Sequence, residues 1–138
     1  LKDALEVYMV LKDAFVASEV EQISSAAANL QVELQSVENQ DLDGMVKSHF
    51  DMIQQKLKAI TTSDSLEEQR AAFVILNENM VVLVNNISGI APDLYLQRCP
   101  MANNNKGAVW LSSSSEIRNP YYGDAMLTCG SVIDTLGL

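Results

Sequence analysis

Cysteine, proline and histidine are all scarce in this chain, and each scarcity excludes something. Two cysteines, three prolines and one histidine occur in 138 residues. The cysteines form no Cys-x-x-Cys redox pair and no Cys-x-x-Cys-His haem attachment, and there is no His-Glu-x-x-His and no glycine-rich phosphate loop. A thiol protease needs a base beside its nucleophile. With His49 the sole imidazole and no local signature around either thiol, the chain reads as no enzyme. Basic residues are outnumbered, 9 against 18 acidic, for a net charge of -9. Without a basic stripe, a nucleic-acid backbone is excluded as a partner. No apolar run approaches the eighteen or so residues of a membrane span. Two cysteines alone do not fix the redox compartment. The chain begins at Leu1, inside a helical pattern; a trimmed signal peptide and a fragment boundary both explain that start.

What is present divides the chain in two. A hydrophobic content of 48% supports a core within one domain over 1–138. Residues 1–89 carry helical periodicity. Leu5, Met9, Val16, Val20, Ile23, Ala27, Leu30, Leu34 and Val37 follow 3/4 spacing, broken at Lys12 and widened by Leu11 and Phe15. This predicts one long amphipathic helix of about ten turns, interrupted by Asn39, Gln40 and Asp41. Val46, Phe50, Ile53, Leu57 and Ile60 predict a second helix, ending at Thr61, Thr62 and Ser63. Asp64 or Ser65 is placed to cap a third, with Glu67 or Glu68 completing a capping box. Its stripe is Leu66, Phe73, Leu76, Met80, Leu83 and Ile87, with Gly89 as the stop. The expected class is therefore all-α: an up-down antiparallel bundle of three main helices.

Residues 90–138 are of another kind. All three prolines, the Asn103-Asn104-Asn105 run and Ser112 to Ser115 fall here, and this is turn chemistry. Yet the region also holds Tyr95, Trp110, Tyr121 and Tyr122. A long irregular segment with so many rings is expected to be an ordered, functional cap packed on the bundle, with a short turn of helix at 131–138.

The cap contains both cysteines, each with a methionine close by: Cys99-Pro100-Met101 and Met126-Leu127-Thr128-Cys129. Thiolate with thioether is a ligand set that soft ions such as Cu(I) select. Zinc fits less well, because thioether is not among its usual ligands. One helical turn would put Met126 and Cys129 on one face. If the two segments converge, Cys99, Met101, Met126 and Cys129 surround one ion. His49 is a further candidate, sharing a helical face with Met45 and Met52; protonation of its imidazole would compete with a metal there. The alternative for the same residues is a Cys99–Cys129 disulfide, with the methionines as packing side chains. It would close a loop of about 30 residues and contribute roughly 3–4 kcal/mol in the chain-entropy treatment.

Residues 95–130, YLQRCPMANNNKGAVWLSSSSEIRNPYYGDAMLTCG, closely resemble a family of secreted bacterial domains of undefined function. The signature elements are Cys99 to Ala102, Lys106 to Ser112, Ile117 to Gly123 and Met126 to Gly130. Glu68-Gln69-Arg70 and Phe73 are similar to the start of that family's third helix, so the resemblance spans nearly the whole chain. Asn77 stands where related sequences often have serine. Members also occur fused to the periplasmic adaptor subunits of copper and heavy-metal efflux pumps. The resemblance thus implies a periplasmic or secreted location, a metal-efflux adaptor or other envelope protein as partner, and a non-catalytic role in handling Cu(I). The competing expectation is a disulfide-stapled helical interaction domain without metal.

Overall fold

A computed structural model describes residues 2–38, 44–86 and 94–136. The expected break at 39–41, the helix stop at Gly89, Ile87, Pro92 and the Met45 side chain lie outside the described residues.

Four helices come first: α1 (Lys2–Val16), α2 (Val20–Glu38), α3 (Gly44–Thr62) and α4 (Leu66–Asn86). Each packs on the next in chain order. The expected ten-turn first helix is in fact two, because the chain reverses at Ser18, whose φ is 60°. Ser18 N–H bonds Phe15 O at 3.1 Å and Glu19 N–H bonds Ala14 O at 3.3 Å. This is the paired closure of a helix C-terminus around one left-handed residue. The α1 stripe holds at Leu5, Leu11, Phe15 and Val16, with Tyr8 taking the place expected for Met9. Tyr8, Leu11 and Phe15 are fully buried while Met9 is only half-buried. Lys12 is buried too, with its ammonium 2.8 Å from Asp13. The α3 and α4 stripes follow the periodicity: Phe50, Ile53, Leu57, Ile60, Phe73, Leu76, Met80 and Leu83 are all buried. Ser65 caps α4, its hydroxyl accepting from Glu68 N–H at 3.3 Å. Glu68 does not close the box on the cap amide but meets the Ser63 hydroxyl at 2.9 Å.

The class is mostly helical but not all-α. Residues 94–136 contain a three-stranded antiparallel sheet of β1 (Leu94–Cys99), β2 (Ala108–Ser112) and β3 (Ser131–Leu136), in the order β2-β1-β3. The short helix expected at 131–138 is replaced, over its described part, by β3. Val109 and Trp110 in β2, and Val132, Ile133 and Thr135 in β3, favour extended backbone. β2 lies against α4 and α1. There the rings of Tyr8, Phe15, Phe73, Trp110 and Tyr121 form one chain of contacts; Phe15 and Phe73 stack at 4.2 Å between centroids. Cys99, Trp110, Leu111, Tyr121 and Leu136 belong to the same core as the helical stripes. The cap is therefore a sheet-bearing layer that completes the α1–α4 side of the bundle.

Candidate functional site

Cys99 ends the central strand. Its partner in register is Ala108, and Gln97 opposes Trp110, so these four side chains share a face. Trp110 Nε1 donates to Gln97 Oε1 at 2.7 Å, and Gln97 Nε2 donates to Ser114 O at 2.9 Å. This satisfies a fully buried amide. Beyond Pro100 the backbone winds left-handed through Asn103, Asn104 and Asn105, with φ of 57°, 56° and 66°. Asparagine tolerates that region better than other side-chain-bearing residues, which accounts for three in a row. Gly107, at φ +87°, lets the Arg98 guanidinium lie flat on the turn; a Cβ there would meet Nη2 at 2.1 Å.

The second sulfur segment is held by Asn119, which is fully buried. Its Oδ1 accepts from the N–H groups of Tyr121 and Tyr122 at 2.8 and 3.2 Å. Its Nδ2 donates to Cys129 O at 2.9 Å, and its own N–H to Leu127 O at 2.8 Å. Cys129 N–H bonds Met126 O at 3.1 Å, and the Tyr122 hydroxyl reaches across to Met101 O at 2.7 Å. These bonds bring the two segments together. Cys99 Sγ and Cys129 Sγ are 2.7 Å apart, with no disulfide between them. The contact with Cys99, and burial after it, push the Cys129 thiol above its usual value; a backbone hydrogen bond with Met101 opposes the shift.

The remaining candidate ligands are placed unequally. Met126 is half-buried beside the pair in sequence, and Met101 is 46% exposed. His49 is elsewhere. Its Nδ1 lies 2.7 Å from Asn79 Oδ1 on α4, whose Nδ2 donates to Ile75 O at 2.8 Å. Asn77 is two residues earlier on α4, hence about 200° around it, and faces Tyr8 and Tyr121 of the cap side. His49 and the cap tyrosine Tyr121 thus lie on opposite sides of α4, and Met52 is exposed on α3. Among the described residues no three His, Cys, Asp or Glu side chains cluster as a metal site.

Residues 4–90 match the family described as a protein of unknown function, DUF3347. The chain belongs to this family. The DUF3347 match covers the four helices and ends before β1, so Cys99, Met101, Met126 and Cys129 lie beyond it. No curated protein and no solved structure matches the chain.

Three residues within the DUF3347 helices bind the cap, and the periodicity alone did not single them out for this. The Tyr8 hydroxyl accepts from Leu111 N–H at 3.0 Å and donates to Asn77 Oδ1. Asn77 Nδ2 donates to the Tyr121 hydroxyl at 2.8 Å, which donates to Val109 O at 2.6 Å. The outer edge of β2 is thereby paired with two tyrosines instead of being left open. Burial holds both hydroxyls well above the ordinary tyrosine value of 10.0. Arg70 is the third. Its Nη2 donates to Phe15 O and Ser18 Oγ, both at 2.9 Å, and its Nε to Pro120 O at 3.0 Å. It satisfies a carbonyl at the α1 C-terminus and ties the α1–α2 reversal to the cap. Glu68-Gln69-Arg70 was visible as a motif; what Arg70 would touch was not. Beside it, a groove of about 540 Å³ opens between α4 and the asparagine turn, lined by Leu66, Arg70, Val74, Asn103 and Tyr122 among others.

Proposed function

We propose that this domain binds a soft metal ion, Cu(I) foremost, through the Cys99–Cys129 dithiol, with Met126 and Met101 as the neighbouring thioethers and no catalytic step. The observation that carries the reading is the meeting of two Cys/Met motifs thirty residues apart, sulfur against sulfur. The donor set is the soft one that Cu(I) prefers, and the only imidazole, which a thiol enzyme would want as its base, is turned away. The resemblance of residues 95–130 to secreted domains and to efflux-adaptor fusions supports an envelope location and service to a metal-efflux system. Metal–sulfur bonds of about 2.3 Å put two ligands about 3.8 Å apart at a tetrahedral angle. The present 2.7 Å therefore requires the thiols to separate as they deprotonate onto an ion.

That short contact also favours a second reading, in which the pair closes as a disulfide and the domain serves as a stapled interaction module. Two measurements separate them. Thiol titration of protein isolated without reductant gives two free thiols on the first reading and none on the second. Anaerobic competition of reduced protein with a chromogenic Cu(I) chelator is expected to show one ion withheld per chain. Cys99→Ser or Cys129→Ser should weaken binding by about 100-fold or more, while His49→Ala leaves it unchanged. Failure of the reduced wild type to compete removes the metal reading.

A further inference from the structure

We infer that Met101 is the capture ligand of the sulfur centre, the group through which a soft ion arrives and departs, and not a resident of the finished site. The inference rests on the soft-metal reading above and assigns the order in which its ligands act. Exposure sets that order. Cys99 is fully buried, Cys129 and Met126 are half-buried, and Met101 is 46% exposed. An ion delivered from outside meets the Met101 thioether first, then Cys129, and Cys99 last.

The backbone and side chain of Met101 are held very differently. Its carbonyl accepts from the Tyr122 hydroxyl at 2.7 Å and from Asn105 N–H at 3.2 Å. The backbone is therefore held to Tyr122 of the second sulfur segment and to the asparagine turn, while an unbranched side chain with three rotatable bonds is 46% exposed.

The chemistry suits a transient role. A neutral thioether binds Cu(I) without releasing a proton and more weakly than a thiolate, so it can accept the ion and then yield it. Transfer proceeds by ligand exchange: a bond to the donor's ligand breaks as a bond to sulfur forms. Each cysteine that joins the ion releases its proton to water. The copper stays Cu(I) throughout, and no electron is transferred.

The test is stopped-flow transfer of Cu(I) from its bicinchoninate complex to the full reduced chain under anaerobic conditions, with release to excess bicinchoninate as the reverse arm. Met101→Leu keeps an apolar side chain of similar volume on the surface and removes only the sulfur. Uptake and release are both expected to slow by about tenfold, with the equilibrium partition changed by less than about threefold, since a ligand used only in passage speeds both directions alike. Wild-type rates in the leucine variant overturn the inference. So does a tenfold loss of equilibrium affinity at an unchanged uptake rate, which would make Met101 a resident ligand. In either case wild type still withholds Cu(I), and the soft-metal reading survives. If wild type withholds none, that reading fails and this one falls with it.

Discussion

Asn77 is the polar side chain that joins α1, α4 and the cap through two tyrosines. It is fully buried, and its amide joins the Tyr8 hydroxyl of α1 to the Tyr121 hydroxyl of the cap. Replacing it with leucine leaves the Tyr8 proton without an acceptor and the Tyr121 oxygen without a donor. Asn77→Leu is expected to cost about 2–4 kcal/mol, read as a lower urea midpoint followed by Trp110 fluorescence. The same network makes stability sensitive to alkali. Tyr8 and Tyr121 ionise near 10.0 when unfolded and well above it when folded, chiefly because burial disfavours the anion. Their contribution is whole below pH 10 and is lost as pH rises from there toward the folded values. Urea midpoints should fall above pH 10, and a Tyr8→Phe, Tyr121→Phe double variant should show a shallower decline.

At the scale of elements, the reversal between α1 and α2 decides whether the first region is one rod or a hairpin. The apolar series runs across residues 17–19 almost unbroken, and serine is no strong breaker, so periodicity alone predicts a single helix. The break depends on groups far away in sequence: Arg70 binds Phe15 O and Ser18 Oγ, and Gly123 packs against the same corner. Gly123 has φ +56°, and a Cβ there would lie 2.7 Å from Ser18 Oγ and 2.8 Å from Val16 O. Gly123→Ala is expected to cost about 1–3 kcal/mol through strain and crowding together, measured by urea unfolding. No strand was expected, although the sequence carries a partial signal for two. Val109-Trp110-Leu111 after Gly107 and Val132-Ile133 after Gly130 are short runs bounded by turn residues. The density of glycine, asparagine and serine around them outweighed that signal, and Gln97 and Arg98 spoil the alternation in β1.

For the whole molecule, the sulfur contact joins two segments of the cap thirty residues apart. Oxidation of Cys99 with Cys129 would close a loop of about 30 residues and stabilise the fold by roughly 3–4 kcal/mol in the chain-entropy treatment. The oxidised chain should therefore unfold at higher urea than the reduced one, with no such difference in a Cys129→Ala variant. On the soft-metal reading the reduced chain should gain stability on adding Cu(I), as any ligand of the native state confers, and the oxidised chain should not. Both states act on one continuous core, because Cys99 sits among the same buried side chains as Phe73 and Tyr121.

Local periodicity determined α3, α4 and their buried faces, since an amphipathic stripe needs only neighbours three and four apart to be read. Composition located the cap and its aromatic anchors, and the two Cys/Met motifs stood out as soft donors before any geometry was known. Only the tertiary structure decided that Cys99 and Cys129 touch while His49 faces away. The first depends on strand register and on Asn119, and the second on a rotation of about 200° along α4. Those are relations between residues distant in sequence, set by backbone hydrogen bonds and side-chain packing, and no spacing within either motif encodes them.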